Sequence, residues 1–179
     1  MPLHAYIVRH GETTENRTKI LQGHLPGQLT SQGMAQLEET ATRLSHESTT
    51  FQRIVSSDLQ RAVDSAQIIA NHLHIAIDTT PLLRERDWGP FTGISIAEAA
   101  AKYRIDGQWQ FPDNTTETET AIFERAQTTL RWLKQHYDNQ DIVVVTHGQF
   151  ARNLLAAHHH LTFADIEPFS NGEFRTITL

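Results

Sequence analysis

Two apolar runs of the same design stand at opposite ends of the chain. Tyr6-Ile7-Val8 leads into Arg9-His10-Gly11, and Ile142-Val143-Val144-Val145 leads into Thr146-His147-Gly148. Branched and aromatic side chains favour a pleated, buried surface, so both runs predict central strands, each with a histidine at its carboxyl end. Between them the periodicity alternates. Met34, Leu37, Ala41 and Leu44 recur at helical spacing behind Thr30 or Ser31 as a cap. Ile54-Val55, within Arg53 to Ser56, predicts a short buried strand. A second helix then opens at Asp58, with Ala62, Ala66, Ile69, Ala70 and Leu73 on one face. Ile75-Ala76-Ile77 predicts a third strand. Ser95 with Glu98 three residues on is a capping-box signature for a short helix ending near Arg104. Ile122, Ala126, Leu130, Leu133 and Tyr137 mark a long helix. Phe150 to Ala157 predicts another, and Phe174 to Leu179 a last strand.

Strands alternating with helices predict an α/β domain with a mostly parallel central sheet and helices on both faces. One such domain is expected to span residues 1–179. Gly11 to Gln28 is polar and rich in turn formers, and reads as a functional loop rather than a regular element. Residues 86–116 carry Gly89, Pro90 and Gly93, which rule out a long regular element there. They are expected to form a short lid grafted onto the sheet.

Composition narrows the function. At 179 residues and 39% hydrophobic, the chain supports one sizeable core. A net charge of -6 without a dense Lys/Arg run speaks against nucleic acid as a partner, so any anion site has to be local. The chain contains no cysteine, which excludes thiolate chemistry and a disulfide framework. No signal-like segment or membrane-span pattern is present, and a cytoplasmic location is the expectation.

The chemistry converges on one sheet edge. In open α/β sheets ligands bind outside the carboxyl ends of the strands, which is where Arg9, His10 and His147 are expected. Arg61 sits at a strand-to-helix junction, where free backbone N–H groups favour an anion. Two arginine forks match phosphate oxygens bidentately, and a neutral imidazole is nucleophilic near pH 7 without a separate base. That set points to a phosphate monoester, with covalent phosphohistidine chemistry splitting the displacement into two in-line steps.

At this point a family resemblance becomes specific. Arg9-His10-Gly11-Glu12-Thr13 with Asn16 resembles the signature of the histidine phosphatase superfamily, the phosphoglycerate-mutase-like family. Further matches follow in the family's order: Ser56-Ser57-Asp58-Leu59-Gln60-Arg61-Ala62, Leu83-Arg84-Glu85 with Asp87-Trp88-Gly89, Glu117 with Arg125, Thr146-His147-Gly148, and Asn171-Gly172. The resemblance implies that His10 takes the phosphoryl group while a backbone carbonyl fixes its tautomer. It implies that Arg9, Arg61 and His147 form the phosphate pocket, that Asn16, Gln22 and Gly23 add substrate contacts, and that Glu85 is the proton donor. Trp88 and Phe91 are candidates for shielding Glu85 from water. The resemblance implies a small phosphorylated substrate and no metal or cofactor.

Two departures bear on the substrate. The family commonly has an Asp and then Pro-Leu-Thr after Gln-Gly, where this chain has His24-Leu25-Pro26-Gly27-Gln28-Leu29-Thr30. The Gly-Gly before the Glu117 position is Thr115-Thr116 here. Several other residues have ordinary structural readings. Glu12 reads as a solvated loop carboxylate, Asp58 and Asp64 as helix-start acids, and His158-His159-His160 as a solvated turn rather than a metal site. Trp109 and Phe111 either line the lid or pin it to the core.

Metal-independent phosphomonoester hydrolysis is the leading expectation. A mutase of the same family, a non-catalytic phosphate-binding module and a protein-phosphohistidine phosphatase are the alternatives. In the family, mutases carry a larger insertion between donor Glu and second His than the 62 positions from Glu85 to His147. The compact phosphohistidine phosphatases tend to lack the Glu85 segment, and a pure binder needs neither nucleophile nor acid.

Overall fold

The computed structural model describes residues 2–106, 108–112 and 115–179, with the side chain of Gln108 left aside. In chain order the strands are β1 (His4–Arg9), β2 (Arg53–Ser57), β3 (Ile77–Thr80), β4 (Arg104–Ile105), β5 (Gln108–Trp109), β6 (Asp141–Thr146) and β7 (Phe174–Thr178). The helices are α1 (Thr14–Arg17), α2 (Ser31–Ser45), α3 (Gln60–Leu73), α4 (Ile96–Tyr103), α5 (Glu119–Tyr137) and α6 (Gly148–His159). Five strands form the main sheet in the order β3-β2-β6-β1-β7. The first four run parallel and β7 pairs antiparallel to β1, which matches the expected mostly parallel sheet. No helix among the described residues is long and apolar enough to cross a membrane.

Alternation along the strands explains why helices cover both faces. Ala5 and Ile7 of β1 join Ile142 and Val144 of β6 in one core, packed with Ile122 and Leu133 of α5 and Leu154 of α6. Val8, Val143 and Val145 turn the other way, into a second core with Leu37, Ala41 and Leu44 of α2 and Ala66 and Ile69 of α3. A strand buried on both faces needs the near-continuous apolar run that β1 and β6 carry.

Their register places the site. Arg9 is paired with Thr146, and the His10 N–H donates to the Thr146 carbonyl at 2.9 Å. The two strand-ending histidines therefore leave adjacent strands at the same level. α2 approaches the first of these ends very closely, since a Cβ on Gly33 would lie 2.1 Å from the Glu12 carbonyl oxygen and one on Gly11 2.5 Å from that of Gly33. Only glycine lets the two backbones meet there.

Several expectations need correction. The third strand is Ile77–Thr80, not 75–77. His74 ends α3 in the left-handed region at φ 57°, and Ile75-Ala76 serve as the lead-in, the Ala76 carbonyl accepting from the Ile54 N–H. Gly11 to Gln28 contains one helical turn, α1, because Thr13 and Asn16 cap each other reciprocally. Met34 has the helical spacing of its neighbours yet is 45% exposed, its turn being the one that Gly33 presses against Glu12. The stretch 106–116 is not wholly loop, because β4 and β5 pair across it; Gly107, Asp113 and Asn114 lie outside the described residues. Ser95 does cap α4, accepting from the Glu98 N–H.

Candidate active site

At the carboxyl end of β1 the His10 ring is buried and held at both nitrogens. Nδ1 lies 2.7 Å from the Gly11 carbonyl, so it carries the proton, and Nε2 accepts from Arg61 Nε at 3.3 Å. One tautomer satisfies both bonds, and it leaves the Nε2 lone pair as the nucleophilic position. Burial first, then the Arg61 and Arg9 guanidinium groups, push the His10 pKa well below the ordinary histidine value. His147 packs edge-on, its ring 5.1 Å from that of His10, and is shifted down by burial and by Arg61. Its Nε2 is 2.8 Å from Ser57 Oγ, which is brought there by the end of β2.

The arginines are spent differently. Arg61, one residue into α3, donates to the carbonyls of Gly23 and Leu25 and so folds the loop after Gln22 over itself. Burial lowers its pKa to about 10, which leaves it cationic at neutral pH. Arg9 Nη1 donates to the Phe169 carbonyl at 2.6 Å. Arg9 Nε and His147 Nδ1 are the buried side-chain polar atoms without a hydrogen-bond partner among the described residues. An unpaired buried donor costs about 1–3 kcal/mol; Arg9 Nε–H is one, and His147 Nδ1 is a second in the tautomer whose Nε2 accepts from Ser57 Oγ.

Glu85 reaches the same place from across the sheet. Its carboxylate accepts the N–H groups of Arg86, Gln149 and Phe150 at 3.0–3.2 Å, the latter two at the start of α6. Its backbone is fixed just as firmly. The Glu85 carbonyl accepts from His24 Nε2 at 3.0 Å and from Arg125 Nη2 at 3.4 Å. Arg125 also holds the Leu82 and Arg84 carbonyls while paired bidentately with Glu117.

Arg9, His10, Asn16, Gln22, Gly23, Arg61 and Glu85 line one cleft of about 230 Å³, with Trp88 on its wall. His147 lies fully buried against His10, behind that lining. Asn16 and Gln22 are drawn in by the Thr13 turn, and Asn171 Nδ2 bridges the His10 carbonyl to Asn16 Oδ1. Trp109 and Phe111 stack on one another and pack edge-on against Trp88, so they pin the wall rather than line the cleft. Phe91 packs within the same aromatic group.

Asp58 is a further correction. α3 is capped by Leu59 without a side-chain bond, and Asp58 instead forms a two-point ion pair with Arg84, next to Glu85. Glu12 stays a solvent-accessible loop carboxylate, accepting from Thr30 and Arg17. Asp64 lies in the first turns of α3 and accepts from Gln60. His158 and His159 end α6, with His160 capping it in the left-handed region.

The model of the histidine phosphatase superfamily (branch 1) matches residues 5–178. The chain belongs to that family. A phosphoglycerate mutase-like protein 4 of Arabidopsis thaliana is 35% identical over 159 residues, 83% of this chain and 67% of its own. An uncharacterised phosphatase, PhoE, of Bacillus subtilis is 32% identical over 152 residues, 83% and 74%. Among solved structures, a mycobacterial glucosyl-3-phosphoglycerate phosphatase in complex with VO3 superposes with a TM-score of 0.83 at 23% identity, covering 97% of this chain and 91% of that one. Histidine phosphatases of this branch form a catalytic family, and this chain is a phosphatase-type enzyme of it.

The buried histidines give the site a pH signature. Their folded-state pKa values lie below the unfolded value near 6.5, so unfolding takes up protons. Their neutral burial is favourable above pH 6.5 or so. Stability is therefore expected to fall as pH drops below it, by up to about 1.4 kcal/mol per unit per ring. Urea unfolding at about pH 7.5 and 5.5 checks this: the wild type loses more between the two than His147→Gln. Equal losses would contradict the assignment.

Proposed function

We propose that the chain is a metal-independent phosphomonoesterase that hydrolyses a small phosphorylated metabolite through phospho-His10. The observation that carries the reading is the doubly fixed His10 ring, with Nδ1–H on the Gly11 carbonyl and Nε2 turned to Arg61, beside the unpartnered Arg9 Nε and His147 Nδ1.

In the first step His10 Nε2 attacks phosphorus, a P–N bond forms and the P–O ester bond breaks. Glu85 gives its proton to the leaving alkoxide. Arg9, Arg61 and His147 Nδ1–H stabilise charge on the equatorial oxygens, for which Arg61 Nε exchanges its bond to His10 for one to phosphate. In the second step Glu85, now a carboxylate, takes a proton from water as it attacks, the P–N bond breaks, and His10 is regenerated. The backbone donors that hold the Glu85 carboxylate fix its aim through both steps. Two guanidinium groups supply the positive charge that a divalent ion supplies elsewhere, and the neutral imidazoles add the nucleophile and a hydrogen-bond donor.

The test is phosphate release from a panel of phosphomonoesters with a chelator present. The panel includes nitrophenyl phosphate, sugar phosphates, phosphorylated hydroxy acids and nucleotides. Sustained release is expected; activity that collapses in chelator and returns with a divalent ion would refute the metal-free chemistry. Isomerisation of phosphoglycerate in preference to release would favour a mutase.

A further inference from the structure

A proton donor has to be aimed, and the aim of Glu85 is set through one peptide unit. The Arg86 N–H donates to Glu85 Oε1 at 3.0 Å, while the carbonyl of that same peptide accepts from His24 Nε2, also at 3.0 Å. A peptide is planar, so its two polar groups turn together. Whatever grips the carbonyl therefore fixes the N–H that holds the carboxylate. His24 is the closer grip, and because a carbonyl oxygen only accepts, its Nε2 carries the proton. Arg125 Nη2 stands further off, at 3.4 Å, and that side chain is shared with the Leu82 and Arg84 carbonyls and with Glu117.

The imidazole is in turn held from the nucleophile's side. Arg61 reaches His10 Nε2 through Nε and, through its two Nη atoms, the carbonyls of Gly23 and Leu25, the residues on either side of His24. The Arg61 N–H also donates to the Pro26 carbonyl at 2.9 Å, and the Leu25 N–H to that of Gln22 at 2.9 Å. A continuous route of bonds thus runs from His10 through Arg61, residues 23–25 and the His24 ring to the Glu85 peptide. His24 lies outside the lining of the catalytic cleft. It lines a separate cavity of about 380 Å³ with Arg84, Asp87, Glu117 and Arg125, and its bond to Glu85 is the one hydrogen bond its ring makes among the described residues.

We propose that His24 is a positioning residue for proton transfer: it ties the Glu85 peptide to the loop that Arg61 holds, and so keeps the proton donor in register with the nucleophile. This rests on the phosphomonoesterase reading with Glu85 as the acid. His24 touches no substrate, so its effect is confined to steps in which Glu85 moves a proton. Phosphate binding, carried by the arginines, does not depend on it.

The experiment compares kcat/KM for an alkyl phosphate and for nitrophenyl phosphate in the wild type, His24→Leu, His24→Gln and Glu85→Gln. That constant covers the steps up to departure of the leaving group, where only the alkoxide needs a proton. In His24→Leu the alkyl phosphate is expected to lose about tenfold and nitrophenyl phosphate about twofold or less, since a misplaced donor costs rate only where it is used. His24→Gln is expected to restore most of the loss, because its amide NH2 stands as many bonds from Cβ as Nε2 does. Added to Glu85→Gln, His24→Leu is expected to cost the alkyl phosphate little more, because both act through one group. His24→Asn, whose amide is one bond too short for the carbonyl, makes the same comparison should His24→Leu not fold. Equal losses on the two esters, no loss on either, or no rescue in His24→Gln would overturn the positioning role, and Glu85→Gln still separating the esters would leave the phosphatase reading intact. Failure of Glu85→Gln to separate them would remove the proton donor, and this inference with it.

Discussion

His10→Ala is expected to abolish phosphate release, lowering kcat by at least about 10⁴-fold, because no other group offers a lone pair at the position of Nε2. The effect is expected in kcat more than in KM. Alanine leaves Arg9 on the Phe169 carbonyl and Arg61 on the Gly23 and Leu25 carbonyls, so an ester still finds its guanidinium partners. Removing the ring also frees Arg61 Nε from its bond to Nε2, which if anything strengthens the grip on phosphate. The check is steady-state phosphate release beside a direct measurement of inorganic phosphate binding. Turnover within tenfold of wild type would show that His10 is not the nucleophile.

Glu85→Gln is the second large effect, and its size is expected to depend on the leaving group. An alkoxide needs a proton as the P–O bond breaks, and general acids supply about 10²–10⁴-fold of rate. A nitrophenolate leaves without one. Alkyl phosphates are therefore expected to lose about 10²-fold or more in kcat, and nitrophenyl phosphate about tenfold or less. The Gln amide also turns an NH2 towards one of the backbone N–H groups that the carboxylate oxygens accept, so some displacement accompanies the change. Displacement alone lowers both substrates alike. Equal losses on the two would assign Glu85 a structural part only.

How much of this was legible in the sequence differs by element. β1 and β6 declare themselves because both their faces are buried, which demands an unbroken apolar run. The edge strand β3 does not, since it is paired on one side and only half covered, and its apolar Ile75 falls in the lead-in. α1 is a single turn held by Thr13 and Asn16, too short to leave any periodicity.

The same division runs through the site. His10 and His147 are visible because each ends a strand, and Arg61 because it begins a helix. Glu85 has no local signature; only the family resemblance singles it out, and its bonds come from Gln149 and Phe150, more than sixty residues away. Ser57, Asn171, His24 and Arg125 act on the site through long-range bonds. Three of them lie inside matched motifs, but the motifs assign them no partner. Asp58 departs from its sequence expectation for the same reason: its place before α3 suggests a cap, whereas Arg84 offers two hydrogen bonds and a full charge.

The most direct measurement of the chemistry is capture of the covalent intermediate. Wild-type protein is mixed with a turning-over phosphomonoester, stopped in base during the first turnovers, digested and mapped for phosphorylation. A phosphoryl group is expected on the His10 ring at Nε2, stable in base and lost in mild acid, and absent from His10→Ala. Phosphorylation at another residue, or rapid phosphate release with His10 never modified, would contradict phospho-His10 as the intermediate.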